Sequence, residues 1–166
     1  MALQALLQFG TLMLWGLAAT IVMTILMSMA QELRLTRMSF PFMLGTAFTP
    51  DRDRAQVLGF VGPLLNGLVF AFFYAFLFET LGRTGWLLGL AIGLVHGLFM
   101  LSVVMPTLPA LHPRMASERQ GPTPTRQLQP PGFLAMNYGW RTPIVTLVAH
   151  GVYGAILGGL YRFLTF

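Results

Sequence analysis

Of the 166 residues, 55% are hydrophobic and 9% are charged, against roughly a quarter charged in an ordinary soluble domain. That balance, with a mean hydropathy of +0.70, excludes a soluble monomer and leaves room for about four membrane-crossing helices of ~20 residues each. The chain has no cysteine and all ten of its basic residues are arginine, which excludes disulfides, thiolate metal sites, thiol catalysis and Schiff-base chemistry on lysine.

The first apolar run, Leu6 to Ala30, contains no charge. It ends in the small-residue sequence Ser28-Met29-Ala30, but no positive side chain precedes it and it is too long for a signal-peptide core, so it reads as a membrane span. Loop one follows. Residues 38–48 are apolar but too short to cross, which predicts a segment that lies in the interface or dips in and returns. Thr49-Pro50-Asp51-Arg52-Asp53 then reads as a helix start, with Thr49 as N-cap, Pro50 at the first helical position and acids in the first turn. Asp51 and Asp53 complement the helix dipole and pair with Arg52 or Arg54 rather than forming a paired-carboxylate site.

Further uncharged runs cover residues 57–78, 86–105 and 143–161. Between the third and fourth, the long loop 106–142 together with Pro143 carries eight of the eleven prolines. Its apolar residues Leu108, Leu111, Met115, Leu128, Phe133, Leu134, Met136, Tyr138 and Trp140 predict an ordered, extended cap rather than a solvated tail. Four spans place loops one and three on one side of the membrane. Those loops hold Arg34, Arg37, Arg52, Arg54, Arg114, Arg119, Arg126 and Arg141, against Arg83 and Arg162 opposite. The positive-inside rule therefore puts loop 106–142 in the cytoplasm and both termini outside it, in the inner membrane of a bacterium. The arginines are scattered singly and form no basic face, so nucleic acid is not an expected partner.

The spans also carry a recurring pair, a strongly polar residue followed by glycine: Asn66-Gly67, His96-Gly97 and His150-Gly151. At ~1.5 Å per residue, Asn66, His96 and His150 lie ~15 to 18 Å from the outer ends of their spans, and Thr20 falls at a similar depth on the first. Small residues recur beside them at helical spacing. Gly85, Gly89, Gly93 and Gly97 form an unbroken series on span three, and such stripes mark faces where membrane helices meet.

An intramembrane ionisable group is a functional hypothesis by default. His96 and His150 are candidate axial ligands of a haem or other tetrapyrrole, with Asn66 and Thr20 in support and the glycines leaving room for the macrocycle. The same four residues form a candidate proton-passing relay. A third reading has the histidines simply fixing helix register. No catalytic residue is assigned and no metal ligand set is evident. In loop three, His112, Arg114, Arg119 and Arg141 are candidates for contact with a lipid headgroup or anion.

Three segments carry a resemblance: residues 45–54, Gly-Thr-Ala-Phe-Thr-Pro-Asp-Arg-Asp-Arg; 112–118, His-Pro-Arg-Met-Ala-Ser-Glu; and 130–139, Pro-Pro-Gly-Phe-Leu-Ala-Met-Asn-Tyr-Gly. They resemble stretches of a group of uncharacterised bacterial four-span integral membrane proteins with no assigned activity. The resemblance implies the membrane class and no chemistry. The sequence thus predicts a single all-α transmembrane domain over 1–166, a four-helix bundle with an interfacial segment in loop one and an ordered cytoplasmic cap in loop three. The expected role is a non-catalytic accessory or interaction subunit that meets the lipid bilayer and other membrane subunits or itself. The alternatives are a haem- or metal-binding redox protein, with haem the first candidate cofactor, and a small oligomeric proton-linked transporter or channel.

Overall fold

A computed structural model describes residues 2–117 and 121–161. It is all-helical, with no named strand among the described residues. The helices are α1 (Ala2–Glu32), α2 (Phe40–Phe48), α3 (Arg52–Leu81), α4 (Trp86–Phe99), α5 (Met105–Leu111) and α6 (Thr142–Tyr161). Four helical stretches are long and apolar enough to cross a bilayer: Leu6–Glu32, Arg52–Leu81, Trp86–Leu111 and Thr142–Tyr161.

These stretches extend beyond the uncharged runs at several ends. The third shows why most clearly. The sequence predicts a span ending at residue 105, before Pro106, yet the helix runs on to Leu111. A π-helical segment, Met100–Val104, joins α4 to α5, and the Met105 N–H donates to the Met100 carbonyl. That change of register carries the helix through Pro106, which sits in the first turn of α5.

The start of α3 also differs from expectation. Asp51, not Thr49, is the cap: its carbonyl accepts the Ala55 N–H at 2.9 Å and its side chain accepts the Arg54 N–H at 2.8 Å. Thr49 instead closes α2, donating its N–H to the Gly45 carbonyl. Towards α3, among the described residues, the Thr49 hydroxyl accepts only the Asp51 N–H, at 3.2 Å.

The chain divides into two compact units. The first comprises residues 1–26, 63–97 and 147–166. Within it, parts of α1, α3, α4 and α6 form a four-helix bundle around Ala19, Ala71, Tyr74, Phe78, Tyr153 and Leu157. The α4–α6 contact is made by backbone. A Cβ on Gly89 would overlap the Gly154 carbonyl, one on Gly93 the His150 carbonyl, and one on Gly158 the Gly85 carbonyl. Gly82, at φ +58°, ends α3 with a left-handed residue, and the Arg83 and Gly82 amides reach back to the Phe78 and Glu79 carbonyls, a Schellman ending.

The second unit comprises residues 27–62 and 98–146. Here the apolar segment of loop one forms α2, folded back on the first turns of α3. Gly45 meets the Ala55 backbone and Gly59 the Pro41 backbone, an antiparallel pairing because the numbers rise on one helix as they fall on the other. Of the loop predicted to form a cap, residues 112–117 and 121–141 fold within this unit as mostly irregular chain. Met115 and Leu128 form an isolated parallel bridge, and a 3-10 segment, Phe133–Tyr138, follows with Leu134 and Ala135 in left-handed conformations. The predicted anchoring of this cap is corrected in part. Met115 is buried, but Leu111, Phe133, Met136 and Trp140 are exposed. Hydrogen bonds hold the segment instead: Asn137 donates its side-chain amide to the Pro130 carbonyl at 3.0 Å, Tyr138 its hydroxyl to the Gln129 carbonyl at 2.6 Å, and Arg37 its guanidinium to the Asn137 carbonyl at 2.6 Å.

Candidate functional site

The glycine contact between α4 and α6 brings two of the predicted residues together inside the first unit. His96 and His150 pack edge to face, with ring centroids 4.9 Å apart and planes at 88°. The His96 ring lies against Phe70 at 4.1 Å, and its Nδ1 is 3.3 Å from the Tyr74 hydroxyl. Tyr74 meets Tyr153 edge to face at 5.5 Å. The Tyr153 hydroxyl donates to the Gly67 carbonyl at 2.6 Å, so a backbone group of α3 accepts a bond from α6. The His96 Nε2 is buried with no hydrogen-bond partner among the described residues.

Thr20 and Asn66 stand apart from this cluster. Thr20 is buried and donates to the Gly16 carbonyl at 2.7 Å within its own helix, and its side chain fills the space beside Gly67. Asn66 is exposed. The reason is rotational: the buried stripe of α3 in this unit runs through Gly67, Ala71, Tyr74 and Phe78, and Asn66 precedes that stripe by one residue, ~100° round the helix. Tyr74 and Tyr153 were absent from the predicted set. Their signal was present, because Tyr153 lies three residues from His150 and Tyr74 continues the Gly67–Ala71 stripe.

The packing bears directly on the tetrapyrrole reading. Two axial histidines must stand on opposite faces of a macrocycle that lies between them. Here the two rings touch each other. The room expected from the glycines is filled, since Gly93 meets the His150 backbone and Gly97 lies against the His150 side chain, with a Cβ there coming within 3.0 Å of it. The arrangement does not fit a macrocycle held between His96 and His150. Among the described residues, no three His, Asp or Glu side chains converge as a metal site.

The loop-three candidates lie in the second unit. His112 is buried, and both its nitrogens are engaged. Its Nδ1 accepts the Arg114 N–H at 3.2 Å, so Nε2 carries the proton and donates to the Met43 carbonyl at 2.8 Å. The Arg114 guanidinium donates to the Thr46 and Ala47 carbonyls. These are among the last carbonyls of α2, which have no partner within the helix and carry the negative end of its dipole. His112 and Arg114 thus clip the end of α2 and do not present an open anion site. Arg141 is exposed and stacks over the Trp140 ring at 4.8 Å. Arg119 lies outside the described residues.

Fold and site together define an all-α protein built on a four-helix bundle, with helices of membrane-spanning length and a buried histidine–tyrosine cluster. In comparisons with known proteins, no family, curated protein or solved structure matches the chain.

Proposed function

We propose that this chain is a bacterial multi-pass inner-membrane protein, like the group its sequence resembles, and that it acts as a non-catalytic interaction subunit of a membrane assembly. The observation that carries the reading is the closure of the first unit. At the level of His96 and His150, α4 and α6 are in backbone contact, so the polar groups there join helices to one another. The outward residues of the same unit, such as Val69, Phe73 and Phe76 on α3 and Val95 on α4, are large and apolar, as contact with lipid or another span requires.

The proposed orientation keeps loops one and three in the cytoplasm. Supporting it, loops one and three hold eight of the ten arginines. Exposed Trp140 with Arg141 suits the headgroup layer.

Extraction of native membranes in a mild detergent tests the role. The expected result is co-migration in a particle larger than the monomer, retained by His96→Ala; solitary migration with normal cell physiology overturns it. A second reading, a proton relay through Tyr74, His96 and His150, is favoured by the unpartnered His96 Nε2. It predicts a pH-dependent flux in proteoliposomes that His96→Ala and His150→Ala both abolish. An absorbance spectrum between about 350 and 600 nm, with haem supplied, tests the tetrapyrrole alternative, which requires α4 and α6 to separate.

A further inference from the structure

The face of α3 that turns away from the first unit's core carries a pattern unlike lipid-facing filler. Asn66, Val69, Phe73, Phe76 and Thr80 are all exposed. Their spacing alternates three and four residues, the repeat of a left-handed helix seam. The intervening buried residues, Gly67, Ala71, Tyr74 and Phe78, belong to the opposite stripe, so the exposed row is a separate surface. Asn66 is the odd member. It is the fifteenth of the 30 residues of α3, ~21 Å from each helix end, and its amide has no hydrogen-bond partner among the described residues. In a bilayer that position is the hydrocarbon centre, where an unpaired amide is costly. Thr80 is not comparable, because its hydroxyl donates to the Phe76 carbonyl at 2.8 Å.

We propose that this row is a homodimer interface in which α3 packs in parallel against α3 of a second copy, with the two Asn66 amides paired across the axis. The occupant follows from the chemistry. A carboxamide is both donor and acceptor, so it complements itself about a two-fold axis. Copies of one membrane protein share orientation and depth, so Asn66 of each meets Asn66 of the other. A single polar residue within an apolar heptad seam also fixes register and oligomer number. Val69, Phe73 and Phe76 then supply the packing, and Asn66 selects the partner. The inference rests on the reading of the chain as an interaction subunit and names its surface and its partner.

The absence of cysteine makes single-cysteine scanning clean. In membranes treated with copper phenanthroline, Val69→Cys, Phe73→Cys and Phe76→Cys are expected to form disulfide-linked dimers. Val95→Cys on α4 and Leu14→Cys on α1, also exposed, are expected not to. Adding Asn66→Leu to Val69→Cys should weaken dimerisation about three- to twenty-fold at limiting protein-to-lipid ratio, and Asn66→Gln should retain most of it. Because Asn66 is outside the core, these variants keep the fold. Cross-linking spread equally over all exposed positions, or unchanged by Asn66→Leu, overturns the proposal. A particle that holds a different protein and one copy of this chain overturns the dimer and leaves the interaction role standing; a bare monomer overturns both.

Discussion

Each of the two units is held together internally by its own kind of link. In the first, regular helices meet regular helices, and the contacts recur with the helix repeat: Gly85, Gly89 and Gly93 meet Gly158, Gly154 and His150 in turn. In the second, irregular chain reaches back to helix ends. His112 and Arg114 satisfy carbonyls of α2 nearly 70 positions earlier, and the Thr36 and Thr142 hydroxyls bond at 2.7 Å across 106 positions. Where helices touch backbone to backbone, order depends on the absence of side chains. Where a loop caps a helix, it depends on one particular side chain. The two units should therefore fail in different ways.

The largest expected effect is Gly89→Ala. The added methyl would overlap the Gly154 carbonyl and press on Gly158, and neither backbone segment can step aside without parting α4 from α6. A loss of about 3 kcal/mol or more is expected, read as a fall in the thermal midpoint in detergent micelles. Gly10→Ala is the control, since nothing lies within 4 Å of a Cβ there; it should be neutral or stabilising by up to about 1 kcal/mol. Equal behaviour of the two variants would remove the glycine argument.

Arg114→Ala should cost less, about 2 kcal/mol, because it strips a charged donor from the Thr46 and Ala47 carbonyls. The loss should be local. Amide exchange at Thr49, whose N–H closes the last turn of α2 at 3.2 Å, should quicken, while exchange along α6 stays as in the parent. Uniform acceleration through both units would show that the clip is not confined to α2.

This contrast also governs what the sequence alone can reveal. The glycine series at 85, 89, 93 and 97 and the polar–glycine pairs are periodic, and periodicity translates directly into a helix face. His96 and His150 were found that way. Asn66 was misplaced because depth and the glycine beside it grouped it with the histidines, whereas within the first unit the buried stripe passes through Gly67 and leaves Asn66 exposed. The clip by His112 and Arg114 has no period. Nothing in Leu111-His112-Pro113-Arg114 indicates that its targets are carbonyls of Met43, Thr46 and Ala47. The continuation of the third span past Pro106 was hidden for a related reason, since proline ordinarily ends a helix and the π-helical register that accommodates it has no simple sequence sign.

The smallest effect concerns Tyr138, and it probes the second unit by pH. Burial pushes its phenol up to about 12 from an ordinary value near 10. The folded state therefore holds this proton more tightly than the unfolded state does. The resulting stabilisation is complete below about pH 10 and is lost as pH rises through about 12. The neutral hydroxyl is also what donates to the Gln129 carbonyl at 2.6 Å, a bond a phenolate cannot make. Tyr138→Phe should cost about 1 kcal/mol at neutral pH. Thermal midpoints of parent and variant should keep a constant gap up to about pH 10 and converge above it, as the parent loses what the variant never had. A gap unchanged through pH 12 would mean that Tyr138 ionises without strain on the cap, and that the second unit depends on its arginine and histidine links alone.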